Sequence, residues 1–180
     1  MPPPLTVEHY QLLPENGPRY QLIEGDLYMA PAPNRYHQVI SRNLEYILMK
    51  YLEENPMGEL YHAPFDVYLD AHNVFQPDIV VVLNERRSIL TDAGAEGAPN
   101  FVVEILSPKT LHLDRYSKSR VYARTGVQEL WIVDPEPRRI EVYLLAQNAA
   151  TPAAVHNESD KFTSGLFRGL TFDAAAIFAR

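Results

Sequence analysis

The sequence predicts an α/β fold in which a central mixed β-sheet is flanked by helices. Three observations carry this. Two apolar runs, Phe75-Gln-Pro-Asp-Ile-Val-Val-Val-Leu83 and Phe101-Val-Val-Glu-Ile-Leu-Ser-Pro108, read as buried strands. From His37 to about Glu54, apolar residues at 40, 44, 47, 48, 51 and 52 keep the three-to-four spacing of an amphipathic helix. The chain then alternates helix, strands, helix and strands, the order expected of a layered mixed sheet. With 180 residues it reads as one domain over 1–180, long enough to bury about 70% of the surface of the unfolded chain.

Each element has a local reason. Met1 to Pro4 is a Pro-rich arm with little to order it. Thr6 is placed to cap a short helix through about Leu13. Tyr20 to Met29 alternates around Glu24-Gly25-Asp26, the pattern of a tight N-terminal β-hairpin. Pro31-Ala-Pro33-Asn34 breaks the chain before the long helix. Glu59 to Leu69 reads as a strand interrupted or edged at Pro64. The Asp78 strand follows, then a loop over about 84–99, then the Glu104 strand. Leu113 to Thr125 reads as a helix closed by Gly126, which suits a left-handed C-cap. Strands are expected at Glu129–Val133 and Ile140–Leu145. The polar stretch from Gln147 to Lys161 reads as the most mobile segment, and Asp173 is placed to cap a short terminal helix.

Composition removes several classes of function. Cysteine is absent, so disulfides and thiolate zinc sites are excluded, and any metal must be held by oxygen or imidazole. The histidines show no HxxxH or HxH spacing. No run approaches the roughly 20 apolar residues of a membrane helix, and the N-terminus has no charged region followed by an apolar one; a cytoplasmic protein is the default expectation. A net charge of −7 argues against a generic basic wrapper around nucleic acid. It leaves room for an enzyme that meets phosphate through bound cations and a local Lys/Arg cluster. There is no Gly-rich phosphate loop and no Gly-x-Ser-x-Gly elbow.

The chemistry lies in the two apolar runs, each carrying one carboxylate, Asp78 and Glu104. A charge inside a buried strand is costly unless it is paired, hydrogen-bonded or bound to metal. If the strands are neighbours, the two acids can converge on one cation. Mg²⁺ takes oxygen ligands and retains waters, so Asp78, Glu104 and a backbone carbonyl, that of Ile105, would suffice. The plainer reading has Asp78 capping a turn after Pro77 and Glu104 paired with a buried Arg or Lys. Lys118, on the helix that closely follows the Glu104 strand, could reach a water or phosphate held by the acids. It also stands four residues after Asp114, the spacing of an ordinary surface ion pair. Trp131 reads as core, and Arg115, Arg120 and Arg124 as helix charges within possible reach of a nucleic-acid backbone.

The motifs Pro77-Asp78, Glu104-Ile-Leu-Ser-Pro108, Asp114-Arg115, Lys118, Tyr122, Gly126-Val127 and Glu129-Leu-Trp-Ile-Val-Asp-Pro135, with Tyr20-Gln-Leu-Ile-Glu24-Gly25-Asp26-Leu27 and His37, resemble a bacterial, cyanobacteria-rich family of restriction-endonuclease-like proteins. That family belongs to the PD-(D/E)XK nuclease superfamily, and the resemblance covers most of the chain from Tyr20 to Pro135. It implies a restriction-endonuclease-like core in which Asp78 and Glu104 bind Mg²⁺, with Mn²⁺ as a substitute, and a lysine assists the attacking water. The superfamily's usual lysine lies two residues after the Glu, where this chain has Leu106; the resemblance points to Lys118 on the following helix, with Lys109 as the rival. Glu24, His37 and Tyr122 are accessory candidates. Glu24 equally suits a turn, and His37 could touch phosphate or help cap its helix. The implied activity is metal-dependent hydrolysis of DNA phosphodiester bonds; because cutting both strands often requires a dimer, a homodimer is the expected assembly. The alternative is a catalytically inactive binding or assembly module on the same fold.

Overall fold

The computed structural model describes residues 2–180. Helix α1 (Val7–Gln11) leads into the hairpin β1 (Tyr20–Ile23) and β2 (Asp26–Met29), then the long α2 (Arg35–Glu54). Strands β3 (Gly58–His62), β4 (Val67–Asp70), β5 (Asn73–Phe75) and β6 (Ile79–Leu83) follow. A 3₁₀ turn over Asn84–Ile89 precedes β7 (Leu90–Thr91) and β8 (Gly94–Glu96), then β9 (Phe101–Ile105). A π-helical turn, Leu113–Lys118, runs into α3 (Ser119–Thr125), followed by β10 (Glu129–Asp134), β11 (Arg139–Leu144), β12 (Ala154–Asn157), β13 (Lys161–Thr163), β14 (Thr171–Asp173) and α4 (Ala174–Phe178).

The mixed sheet has the order β12-β11-β10-β9-β6-β3. Only β9 and β10 within it run parallel; its other neighbours are antiparallel. The three central strands are apolar on both faces because both are covered, which explains their continuous hydrophobic runs. One face, with Ile79, Val81, Phe101, Val103, Trp131 and Val133, packs under α2 through Ile40, Leu44 and Leu48. The other, with Val80, Val102, Leu130 and Ile132, packs against Val121 and Tyr122 of α3 and against Phe75. Burying each such side chain contributes about 1.5–3 kcal/mol. Glu104, two residues beyond Val102, shares this second face by alternation.

Several expectations are corrected. A second six-stranded sheet, β2-β1-β5-β4-β8-β7, stands beside the mixed one. The run Phe75–Leu83 is split between the sheets, because Pro77 cannot donate to a ladder; Asp78 lies in the gap just before β6. The Glu59–Leu69 stretch is interrupted at Pro64 as expected, but its two parts enter different sheets, β3 in one and β4 in the other. The loop over 84–99 contains β7 and β8. The polar stretch 147–161 contains β12, paired with β11. The long helix begins at Arg35, two residues before His37, because Asn34 is its N-cap and accepts the His37 N–H at 2.9 Å. Met1 lies outside the described residues, Pro2 to Pro4 are exposed and outside any helix or strand, and the chain is tied down from Leu5, whose N–H donates to the Gly25 carbonyl at 2.9 Å. Gly25, at φ 84°, lies so close to Pro4 that a Cβ there would collide with it. Gly126 ends α3 in the left-handed conformation, φ 103°, as its position in the sequence predicts.

Candidate active site

Strand register brings the two carboxylates together. β6 and β9 pair Ile79 with Val103 and Val80 with Val102; one step further along the same register sets Asp78 opposite Glu104. The Ile105 N–H donates to Asp78 Oδ2 at 2.6 Å, which fixes the Asp78 side chain to the end of β9. Its other oxygen, Oδ1, stands 3.2 Å from His37 Nε2. His37 comes from the first turn of α2, so the capped start of that helix aims the imidazole at the end of the sheet.

Glu104 is held from the opposite side. Lys118 Nζ donates to Glu104 Oε1 at 3.0 Å, and the Tyr122 hydroxyl donates to the same oxygen at 2.5 Å. The second oxygen, Oε2, takes neither bond. Lys118 also lies 2.9 Å from Asp114 Oδ1, at an angle too poor for a hydrogen bond, so that oxygen is buried without a hydrogen-bond partner. Glu104, Asp114 and Lys118 are 3%, 2% and 2% exposed. Lys118 therefore makes both contacts the sequence allows, with Glu104 and with Asp114, and the Asp114 pair is a buried one. The π-helical turn that carries Asp114 and Lys118 widens the helix where it faces the cavity; such turns recur at functional sites.

Burial shapes the electrostatics. It pushes the Glu104 carboxyl up to about 8 against the pull of Lys118, with the charges of Asp114 and Asp78 adding to the rise. Burial disfavours charge on Lys118, but Asp114 and Glu104 overcome it and hold the ammonium protonated well above the ordinary lysine range. Burial and the adjacent Glu104 likewise raise the Tyr122 hydroxyl, keeping it a donor. At His37 burial works against the charged form, and the Asp78 contact more than offsets it, aided by the Ile105 carbonyl, so the net shift is upward.

His37, Asp78, Glu104, Ile105, Asp114 and Lys118 line one cavity of about 340 Å³. Lys109 is at its rim, exposed and without an ion pair among the described residues. Tyr122 lies behind Glu104, entirely buried. Glu24 is elsewhere: it sits at the hairpin tip with φ 51° and pairs with Arg124 at 3.0 Å. The same wall holds residues the sequence reading did not single out, notably Arg19 and Gln21. Gln21 is a polar side chain buried in a strand, where its Oε1 accepts the Gln76 N–H at 2.9 Å; its neighbours Leu22 and Ile23 hide that signal in the sequence.

The donor set suits a hard cation: two carboxylates and the Ile105 carbonyl, all oxygen, converge on one cavity. Among the described residues no three His, Asp or Glu side chains are grouped to hold a metal unaided, so such an ion would keep much of its coordination in water.

The family described as "Uma2: Putative restriction endonuclease" matches residues 7–175. No curated protein matches the sequence. Among solved structures, a putative nuclease belonging to DUF820 from Anabaena variabilis ATCC 29413 superposes with a TM-score of 0.80 at 20% identity, covering 98% of each chain. At that identity the likeness is one of fold.

Proposed function

The chain belongs to the Uma2 family, described as putative restriction endonucleases, and from that premise we propose that it is a divalent-metal-dependent endonuclease hydrolysing DNA phosphodiester bonds. The observation that carries this reading is the pairing of Asp78 and Glu104 across β6 and β9 at one cavity, with Lys118 at 3.0 Å from Glu104. Asp78, Glu104 and the Ile105 carbonyl are the proposed metal ligands, with Mg²⁺ as the ion and Mn²⁺ as substitute. A cation held there would supply charge stabilisation at the phosphoryl oxygens and lower the pKa of a coordinated water.

The protein's own groups have separate roles in this proposal. Lys118 stays an ammonium, so it serves as a fixed positive charge that offsets charge developing on the phosphate, and as an orienting donor. Tyr122 holds Glu104 in place, leaving Oε2 for the cavity. His37 fixes Asp78 and, when protonated, offers a second positive charge. Cutting both strands of a duplex would call for a homodimer.

The test is direct. The wild type should nick or linearise supercoiled DNA with Mg²⁺ or Mn²⁺, stop with chelator, and lose activity as Asp78→Ala or Glu104→Ala. A second reading, an inactive binding module, is favoured by one observation: Glu104 already has two protein donors, Lys118 and Tyr122. Uncut supercoiled, linear and single-stranded DNA from wild type and Asp78→Ala alike would select that reading.

A further inference from the structure

Of the three arginines on or beside the Lys118 helix, two are engaged by carboxylates, and the third, Arg120, is exposed and donates to the Tyr116 carbonyl. Arg115 is bound to Glu141 and Asp134 at 2.6 and 3.2 Å, and Arg124 to Glu24 and Asp70 at 3.0 and 3.2 Å. Arg87, Arg138 and Arg139 are also paired with carboxylates. By contrast, Arg35, Arg42 and Arg180 are exposed and make no ion pair among the described residues. These three line a single open groove that contains no Asp or Glu side chain, with Tyr36, Gln38, Val39 and Asn34. Asn34 lines the active-site cavity as well, so groove and cavity adjoin at the N-cap of α2. Arg19 and Lys109, also without ion pairs, stand on the cavity side of that junction.

We propose that this groove is the track for the DNA backbone flanking the scissile phosphate. The proposal rests on the nuclease reading for the identity of the polymer. In a chain of net charge −7, a concave strip whose charged side chains are all positive is complementary to a polyanion. Arg35, Gln38, Val39 and Arg42 follow the i, i+3, i+4, i+7 spacing of one helix face. Arg35 and Arg42 are thereby separated by about 10 Å along the axis at about 1.5 Å per residue, far enough apart to meet separate phosphates of one strand, which recur about every 3.4 Å along the duplex axis. Arg180 stacks over the Tyr36 ring at 4.3 Å, which orders its guanidinium beside the path. His37, on the other side of the same helix turn, contacts Asp78, and groove and cavity share Asn34, so a strand lying on the arginines reaches the carboxylate pair around the N-cap of α2.

The experiment measures binding of a short fluorescent DNA duplex to the full chain in chelator, where no cutting intervenes. Arg35→Ala/Arg42→Ala should bind at least tenfold more weakly, and the log–log salt slope should fall by about 0.9 for each lost phosphate contact, about 1.8 together. Arg120→Ala, exposed and outside groove and cavity, should match wild type. An unchanged affinity and slope in the double variant overturns the proposal, even if the wild type cuts DNA. Polyglutamate displacing the duplex as well as unlabelled DNA does also overturns it, in favour of an acidic protein partner. Arginine-dependent binding by a protein that cuts nothing leaves the groove standing and removes only the nuclease reading.

Discussion

Lys118 reaches across from the helix after β9 to place its ammonium 3.0 Å from Glu104 Oε1, so the cation nearest the carboxylate pair is built into the interior of the fold. Burial of this kind is costly for each ion alone, and Asp114, 2.9 Å away, is the third member that balances it. Removing the cation leaves two buried carboxylates without a counter-charge. Lys118→Met, which keeps the length of the side chain, should therefore lower stability by about 3 kcal/mol. The loss should deepen as pH rises, because protonation of Glu104 relieves the repulsion in acid. Urea unfolding at several pH values checks both; a loss independent of pH would show that packing, not charge, is what the lysine supplies.

Glu104 is also a ligand in the proposed metal site. Its carboxyl is pushed up to about 8, chiefly by burial, so a cation and a proton compete for it. Affinity for Mn²⁺ should climb as pH rises toward about 8 and level off above it, with proton release on binding below that point. Calorimetry in buffers of different ionisation enthalpy counts the protons. Equal affinity at about pH 6 and about pH 8 with none released would refute a role for Glu104 as a ligand.

His37 titrates in the same wall with a readout independent of catalysis. Its folded pKa is raised above the ordinary 6.5. Its bond to Asp78 thus contributes stability that is fully present below that ordinary value and lost as pH rises through the raised one. His37→Gln should cost about 1 kcal/mol in mild acid and much less at alkaline pH. A cost that grows with pH would mean the neutral imidazole is the form the fold prefers.

The legible parts of the molecule are those with a period or a cap. The α2 stripe, the N-terminal hairpin, the Gly126 stop and the Asp173 cap, whose side chain accepts the Ala175 N–H at 3.0 Å, follow from local chemistry. The two carboxylate strands stood out because an acid in an apolar run needs an explanation. What could not be read is what depends on partners distant in sequence. That Phe75 and Ile79 belong to different sheets is a matter of topology, signalled only by Pro77. The burial of Glu129, bonded to Trp131 Nε1 at 2.6 Å and to the Ser164 hydroxyl at 2.9 Å, depends on a loop far along the chain. Glu24 matched a motif yet stands with Arg124 at the hairpin tip, because turn chemistry alone explains its place. Which of the 16 Lys and Arg residues lack a carboxylate partner is likewise set by partners distant in sequence and is fixed only once the chain is folded.

The choice between the two candidate lysines can be made by activity. Lys109 is exposed at the cavity rim and makes no ion pair among the described residues, whereas Lys118 is fixed between Glu104 and Asp114. A preorganised charge stabilises a transition state more than a mobile one, since no reorganisation accompanies the reaction. Lys118→Met, assayed well below its unfolding temperature, should cut DNA at least about a hundredfold more slowly, the scale seen when one fixed electrostatic donor is removed. Lys109→Ala should change the rate by only a few fold and act mainly on KM, as expected of a rim charge that meets phosphate. Loss of cutting in Lys109→Ala with Lys118→Met still active would transfer the role to the rim and leave Lys118 as the counter-ion that makes the buried acids tolerable.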